Sequence, residues 1–131
     1  MAAFEPLAVC LRFTDVAISR SEMETLLESS LERFESTPSG LNYAQITIPL
    51  GREIWDTVAD YLARRGPQIL ALKDRGRLRA ATMDFAISFD EAAVALTINL
   101  PSHAVEAIAR YGIDVELSIY RTGSDDDGVS A

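Results

Sequence analysis

The sequence is poor in the residues that support covalent chemistry: it has one cysteine and one histidine in 131 residues. Because Cys10 has no second thiol to pair with, an intramolecular disulfide is excluded and a cysteine-based zinc site lacks ligands. Nucleophilic catalysis needs a base beside the nucleophile, and His103 is the single imidazole that could serve. We therefore expect no metal, no cofactor and no catalytic residue, in a protein from a reducing, cytoplasmic compartment. The balance favours a protein that is not an enzyme.

Positive charge is also scarce, with 12 basic against 20 acidic side chains and a net charge of -8. This field repels phosphate backbones, so nucleic acid is not expected as a partner. No segment approaches the roughly 20 apolar residues that a membrane helix needs. The first residues lack the basic and apolar regions of a signal peptide. A membrane is therefore not expected as a partner either.

The basic residues that are present cluster in one stretch, between Arg64 and Arg79, which we call the basic island. Such a cluster is typical of a solvated helix end and turn, or of a site for an anion or an acidic partner. For the second reading, arginine suits bidentate capture of carboxylate or phosphate, so Arg64, Arg65 and Arg79 are candidate ligand-binding residues. Half of the basic residues of the chain lie in the island: Arg64, Arg65, Lys73, Arg75, Arg77 and Arg79.

Five segments alternate apolar and polar residues, which predicts five strands with one buried face each. They lie at 7–13, 43–50, 81–89, 94–100 and 115–120. The segments at 81–89 and 94–100 are separated by a few turn residues, so we predict a β-hairpin from Phe85 to Leu96.

Apolar residues at helical spacing predict three helices. Ser19 and Glu22 have the spacing of a capping box, and the apolar stripe that follows them runs to Phe34. A second helix begins near Arg52 and closes at Gly66, and a third, capped by Ser102, stops at Gly112. The segment from Pro67 to Arg75 fits either a short further helix or a strand over 68–72.

The elements alternate as βαβαββαβ, and each strand is apolar on one face only. This pattern favours an α+β two-layer sandwich, with a five-stranded mixed sheet and helices on one face. From the second strand onward the order βαββαβ is ferredoxin-like, preceded by an extra β-α unit. We expect a single α+β domain over 1–121 and a disordered acidic tail over 122–131. Strand order and oligomeric state stay open at this point.

Three features resemble the bacterial domain-of-unknown-function family 4279. They are the early strand leading into the Ser19-capped helix, the helix start at Ile54 and Trp55, and the ending from Leu100 to Tyr120. That ending has a strand, a short helix, a glycine and a strand that finishes in Ile119-Tyr120. The resemblance covers most of the chain. It implies a bacterial origin and a fold without an established activity, and also a role in toxin immunity known for some similar small proteins.

The polar face of the predicted sheet is the first candidate functional surface. Tyrosine and arginine are favoured as interface anchors. The hypothesis is a protein-interaction module, adaptor or immunity-like, that binds another protein or forms a homodimer. Its candidate interface residues are Arg12, Tyr43, Thr82, Thr97 and Tyr120.

The alternative hypothesis is a small-anion-binding protein or enzyme that uses the basic island and a pocket between the second helix and the sheet. A further arrangement concerns Asp84 and Glu116, which lie on the polar face of two predicted strands. Two carboxylates on one sheet face suit acid-base work, a metal ion or plain solvent exposure. Which applies depends on whether their strands are neighbours.

Overall fold

The computed structural model describes Pro6, residues 8–90 and residues 97–122. These residues form one sheet of five strands, in the order β2-β3-β1-β4-β5. Neighbouring strands are antiparallel except for the parallel pair β4–β5. The predicted α+β class with a five-stranded mixed sheet is confirmed. In chain order the elements are β1 (Ala8–Val16), α1 (Arg20–Leu27), β2 (Arg33–Ser36), β3 (Asn42–Thr47), α2 (Ile54–Asp74), β4 (Ala80–Asp90), α3 (Ser102–Arg110) and β5 (Asp114–Thr122).

The core lies between the sheet and one layer of helices, as the alternating pattern predicted. Val9, Leu11 and Phe13 of β1 are fully buried. The strand register places buried residues of β3 and β4 on the same face as these three. Because alternate strand residues point to opposite faces, this face is apolar and the other is polar. The helices contribute Met23, Leu27, Val58, Leu62, Ile69 and Ile108 to the same core.

The first six elements have the ferredoxin-like order, because β1 lies between β3 and β4 and β2 forms a hairpin with β3. The unit α3-β5 follows this βαββαβ motif and adds a parallel strand next to β4. The sequence prediction placed the extra unit in front of the motif, which is wrong because β2 was not recognised. The hairpin turn after β2 is closed by Gly40, which has φ 85 and donates to Thr37 O at 3.0 Å.

Helix α1 begins with the predicted capping box at Ser19 and Glu22 but ends at Leu27 instead of Phe34. Glu28 takes a left-handed conformation with φ 51 and ends the helix. Phe34 belongs to β2, where it lies opposite the buried Ala44. The strand pairing packs Phe34 partly buried against the core without the long helix that its spacing suggested, so tertiary contacts override the local pattern.

Helix α2 runs through Gly66 and Pro67, so the predicted end at Gly66 is wrong and the segment after it is helix rather than strand. Gly66 is buried, and a Cβ atom there would stand 2.3 Å from Cδ2 of Tyr111. The glycine therefore serves close packing against α3 and not a helix end. Pro67 is exposed, and it removes one helical N–H without ending the helix.

The second strand of the predicted hairpin spans 94–100, and its part from 94 to 96 lies outside the described residues. The described part, 97–100, holds one bridge residue, Thr97, and no strand. Helix α3 begins after Pro101, which makes no side-chain cap, so Ser102 is its first residue rather than its cap. Thr122 ends β5, and the predicted tail beyond it is outside the described residues. None of the helices described here has both the length and the apolar character that crossing a membrane requires.

Candidate functional site

The sheet face opposite the helices, which we call the open face, carries polar side chains from all five strands. In the described part of the chain no helix packs on it. Of the five interface residues predicted from sequence, the strand register places Arg12, Tyr43, Thr82 and Tyr120 here. Thr97 is an isolated bridge residue outside the five strands.

Arg12 is the centre of an ion-pair cluster on the open face. Its Nη2 atom lies 3.1 Å from Oδ2 of Asp84 and also contacts Oε1 of Glu116. Ser118 Oγ donates to Oδ1 of Asp84 at 2.7 Å. The Arg12 and Asp84 side chains are 30% and 15% exposed, so this pair is partly shielded from solvent. We call Arg12, Asp84, Glu116 and Ser118 the Arg12 cluster; it links β1, β4 and β5.

The strand order makes the strands of Asp84 and Glu116 neighbours. The two residues lie directly opposite each other on β4 and β5. Arg12 bridges both carboxylates, so both are ion-paired in this arrangement. Among the described residues no group of three His, Cys, Asp or Glu side chains is placed to hold a metal ion.

A second network occupies the other half of the open face. Tyr43 Oη donates to Gln45 Oε1 at 2.9 Å, and Gln45 Nε2 donates to Glu32 Oε1 at 2.9 Å. Thr47 Oγ1 donates to the other oxygen of Glu32 at 2.6 Å. The Arg33 guanidinium lies 5.2 Å from the centre of the Tyr43 ring, a cation–π distance. Burial raises the pKa of Tyr43 above its ordinary value. These contacts hold Tyr43 in one orientation.

The open face is acidic. Among the described side chains its carboxylates outnumber its guanidinium groups, and the latter are those of Arg12 and Arg33. A surface of this sign attracts positively charged partners and speeds their association. The carboxylates are those of Glu32, Glu35, Asp84, Asp114 and Glu116.

Cys10 and His103 lie in different parts of the molecule. Cys10 is on the open face with its Sγ atom 3.6 Å from Thr47 Oγ1. His103 is in the first turn of α3, and its Nε2 atom lies 3.0 Å from Oδ1 of Asp56 near the start of α2. The fold therefore does not assemble a nucleophile and a base from these two residues.

The basic island is not one site. Arg65 Nη2 pairs with Glu28 at 2.7 Å, at the end of α1. Arg79 Nε pairs with Asp15 at 2.8 Å, near the end of β1. Lys73 donates to the Gly112 carbonyl at 2.7 Å and so holds the turn before β5. These cations serve separate contacts between elements.

Arg64 and Arg65 do share a cavity of about 230 Å³ between α1, β3 and α2, and Arg79 is not part of its wall. Tyr61 also lines it. Tyr61 is 7% exposed, and its hydroxyl has no hydrogen-bond partner among the described residues. Burial raises the pKa of Tyr61, an effect that Arg65 and Arg64 oppose. The other lining residues are Leu27, Glu28, Ser29, Ile46 and Pro49.

Several residues of these sites were missed by sequence reasoning, among them Glu32, Ser118 and Tyr61. Glu32 and Ser118 meet their partners only through the strand register. The alternation of Arg33, Phe34 and Glu35 is the signal that could have indicated β2 and thus Glu32. Tyr61 has the spacing of a core residue, and nothing in the sequence indicates an unpaired hydroxyl.

Comparisons with protein-family models, with curated proteins and with solved structures found no match. The resemblance to family 4279 therefore stays a prediction, and the function has to be argued from the residues alone.

Proposed function

We propose that this protein is an interaction module, of adaptor or immunity type, that binds another protein through the open face. The observation that supports this function is that Arg12 and Tyr43, the residue types favoured as interface anchors, are each held in place by neighbouring side chains. A surface ordered before binding loses less conformational entropy when the partner docks.

The charge of the open face indicates the chemistry of the partner. Five carboxylates and two guanidinium groups among the described residues favour a partner that presents lysine or arginine side chains. Glu35 is a suitable test position, because its side chain is 55% exposed and pairs with the half-exposed Arg33. Reversing its charge changes the field of the face with little effect on the fold.

The experiment is affinity capture from the source cells, followed by titration calorimetry with the recovered partner. We expect Glu35→Lys and Tyr43→Ala to weaken binding by at least about tenfold, the usual size of a moderate interface residue. Glu106→Lys is the matched control, because Glu106 also pairs with an exposed arginine, but on α3. Equal binding by all of these variants would exclude the open face as the site.

The second candidate function is capture of a small anion in the Tyr61 cavity. The specific observation is a buried tyrosine hydroxyl without a partner beside two arginines. A thermal-shift screen with small carboxylates and phosphates tests it, since a ligand that binds the folded state raises the melting temperature. Arg64→Ala should abolish the shift, while Arg79→Ala, outside the cavity, should leave it unchanged. A flat screen removes this candidate.

A further inference from the structure

Strand β5 has an apolar face that the helix layer leaves exposed. The parallel register aligns Val115, Leu117 and Ile119 with Met83, Phe85 and Ile87, so all six side chains point to the helix side. The β4 residues are fully buried, yet the three β5 residues are 42–51% exposed. Val105 of α3, the helix that contacts β5, is 45% exposed as well. Contiguous exposed apolar residues of this kind mark interaction sites.

The two edges of the sheet differ in how they are protected. At one edge β2 is four residues long and presents Arg33 and Glu35, features that discourage pairing with another strand. At the other edge β5 is nine residues long, and in the described residues no strand pairs with its outer side. A long, apolar edge strand offers unpaired backbone groups to a further strand.

We propose that β5 pairs with β5 of a second copy of this chain, as antiparallel neighbours related by a two-fold axis at Leu117. The proposal does not depend on the function of the open face. Directly opposed side chains in an antiparallel pair lie on the same face of the sheet. The two-fold axis therefore passes between the two copies of one residue, and the numbers of any two opposed residues add up to twice the number of that residue. At Leu117 this brings Leu117 against its own copy and Val115 against Ile119 of the second copy.

The charges of β5 favour this axis over its neighbours. With the axis at Leu117, Glu116 faces Ser118 and Asp114 faces Tyr120, so no like charges meet. An axis at Glu116 would place two glutamates opposite each other, which is destabilising. An axis at Ser118 would place Val115 against Arg121. β5 therefore complements itself, and this is the reason to assign a second copy rather than a different strand. The product is a continuous sheet of ten strands drawn from the described parts of two chains.

Sedimentation equilibrium over a wide concentration range tests the association. We expect a reversible dimer, and we expect Leu117→Lys to weaken it by at least about a hundredfold, because the substitution removes two buried leucines and opposes two charges. Ser39→Lys, exposed in the hairpin turn after β2 at the opposite side of the sheet, is the control and should not change it. Urea unfolding checks that each variant is folded. A monomeric parent protein, or a dimer indifferent to Leu117→Lys, overturns the proposal.

Disulfide trapping in a Cys10→Ser background tests the register independently. Leu117→Cys should give a cross-linked dimer on mild oxidation, since directly opposed Cα atoms lie about 4.5–5.5 Å apart. Tyr120→Cys is the matched variant on the same strand. Its two copies would lie six residues out of register, about 20 Å apart, and should not cross-link. Cross-linking through position 120 and not through 117 contradicts the assignment.

Discussion

Removal of the Arg12 guanidinium should destabilise the protein far more than removal of a solvent-exposed arginine on the same face. In Arg12→Met the apolar stem is kept, but Asp84, 15% exposed, loses its cation. An ionised group left without its partner in a partly buried position costs about 1–3 kcal/mol. The carboxylates of Asp84 and Glu116, directly opposed on neighbouring strands, add up to about 1 kcal/mol of repulsion. We therefore expect a loss of about 2–3 kcal/mol in the free energy of unfolding.

Urea unfolding at neutral pH measures this loss through the shift of the midpoint at constant m-value. Arg33→Met is the matched control, because Arg33 and Glu35 are about half exposed and their pairing is screened by solvent, so its midpoint should hardly move. Adding Asp84→Asn to Arg12→Met should recover part of the loss, since the unpaired charge is removed. If Arg12→Met and Arg33→Met shift the midpoint equally, the cluster is not held together as described.

Other substitutions test the packing and the titration behaviour. Gly66→Ala should lower the free energy of unfolding by about 1–2 kcal/mol, because overpacking against the ring of Tyr111 outweighs the helix propensity gained. In a Tyr111→Ala background the same substitution should stabilise the protein by up to about 1 kcal/mol. Thermal unfolding of the parent, the two single variants and the double variant shows whether the sign reverses. Tyr61→Phe should stabilise the protein, since it removes a buried hydroxyl without a partner. Burial raises the pKa of Tyr61 above its ordinary value of 10.0, so this tyrosine ionises more readily in the unfolded chain than in the folded protein. The parent protein should therefore lose stability as the pH rises above about 10. Urea titrations across that range should show a smaller loss for Tyr61→Phe. Ser19→Ala should cost about 1 kcal/mol of stability through loss of the α1 cap, seen as a lower urea midpoint. Equal stability of Ser19→Ala and the parent would contradict that role.

Local patterns predicted those features that depend on neighbours in sequence. The capping box at Ser19 and the buried alternation of β1 are of this kind, and both are present. The predictions for Phe34 and Gly66 are wrong for the same reason, because contacts between residues distant in sequence determine where each of them lies. Phe34 fits a helical stripe but is partly buried through strand pairing, and Gly66 has the pattern of a helix end but accommodates Tyr111 from α3.

In the candidate site, the face that a residue occupies was predictable from the sequence, but its partners on other strands were not. Sequence placed Arg12 and Tyr43 on a polar face, because alternation along a strand decides which face a residue occupies. The partners of Arg12 depend on the order β1-β4-β5, which alternation does not determine. In the basic island, closeness in sequence does not produce a shared site. Arg65 and Arg79 pair with carboxylates at the ends of different elements.

Site-specific photo-cross-linking tests the binding role of the open face most directly. A photoreactive phenylalanine analogue at Tyr43 reports contact with the open face, and the same analogue at Ala63, exposed on α2, is the control. In the source cells we expect one discrete adduct from position 43, lost on adding Glu35→Lys, and none from position 63. Adducts from position 63 alone, or no adduct that depends on Glu35, would contradict binding through the open face.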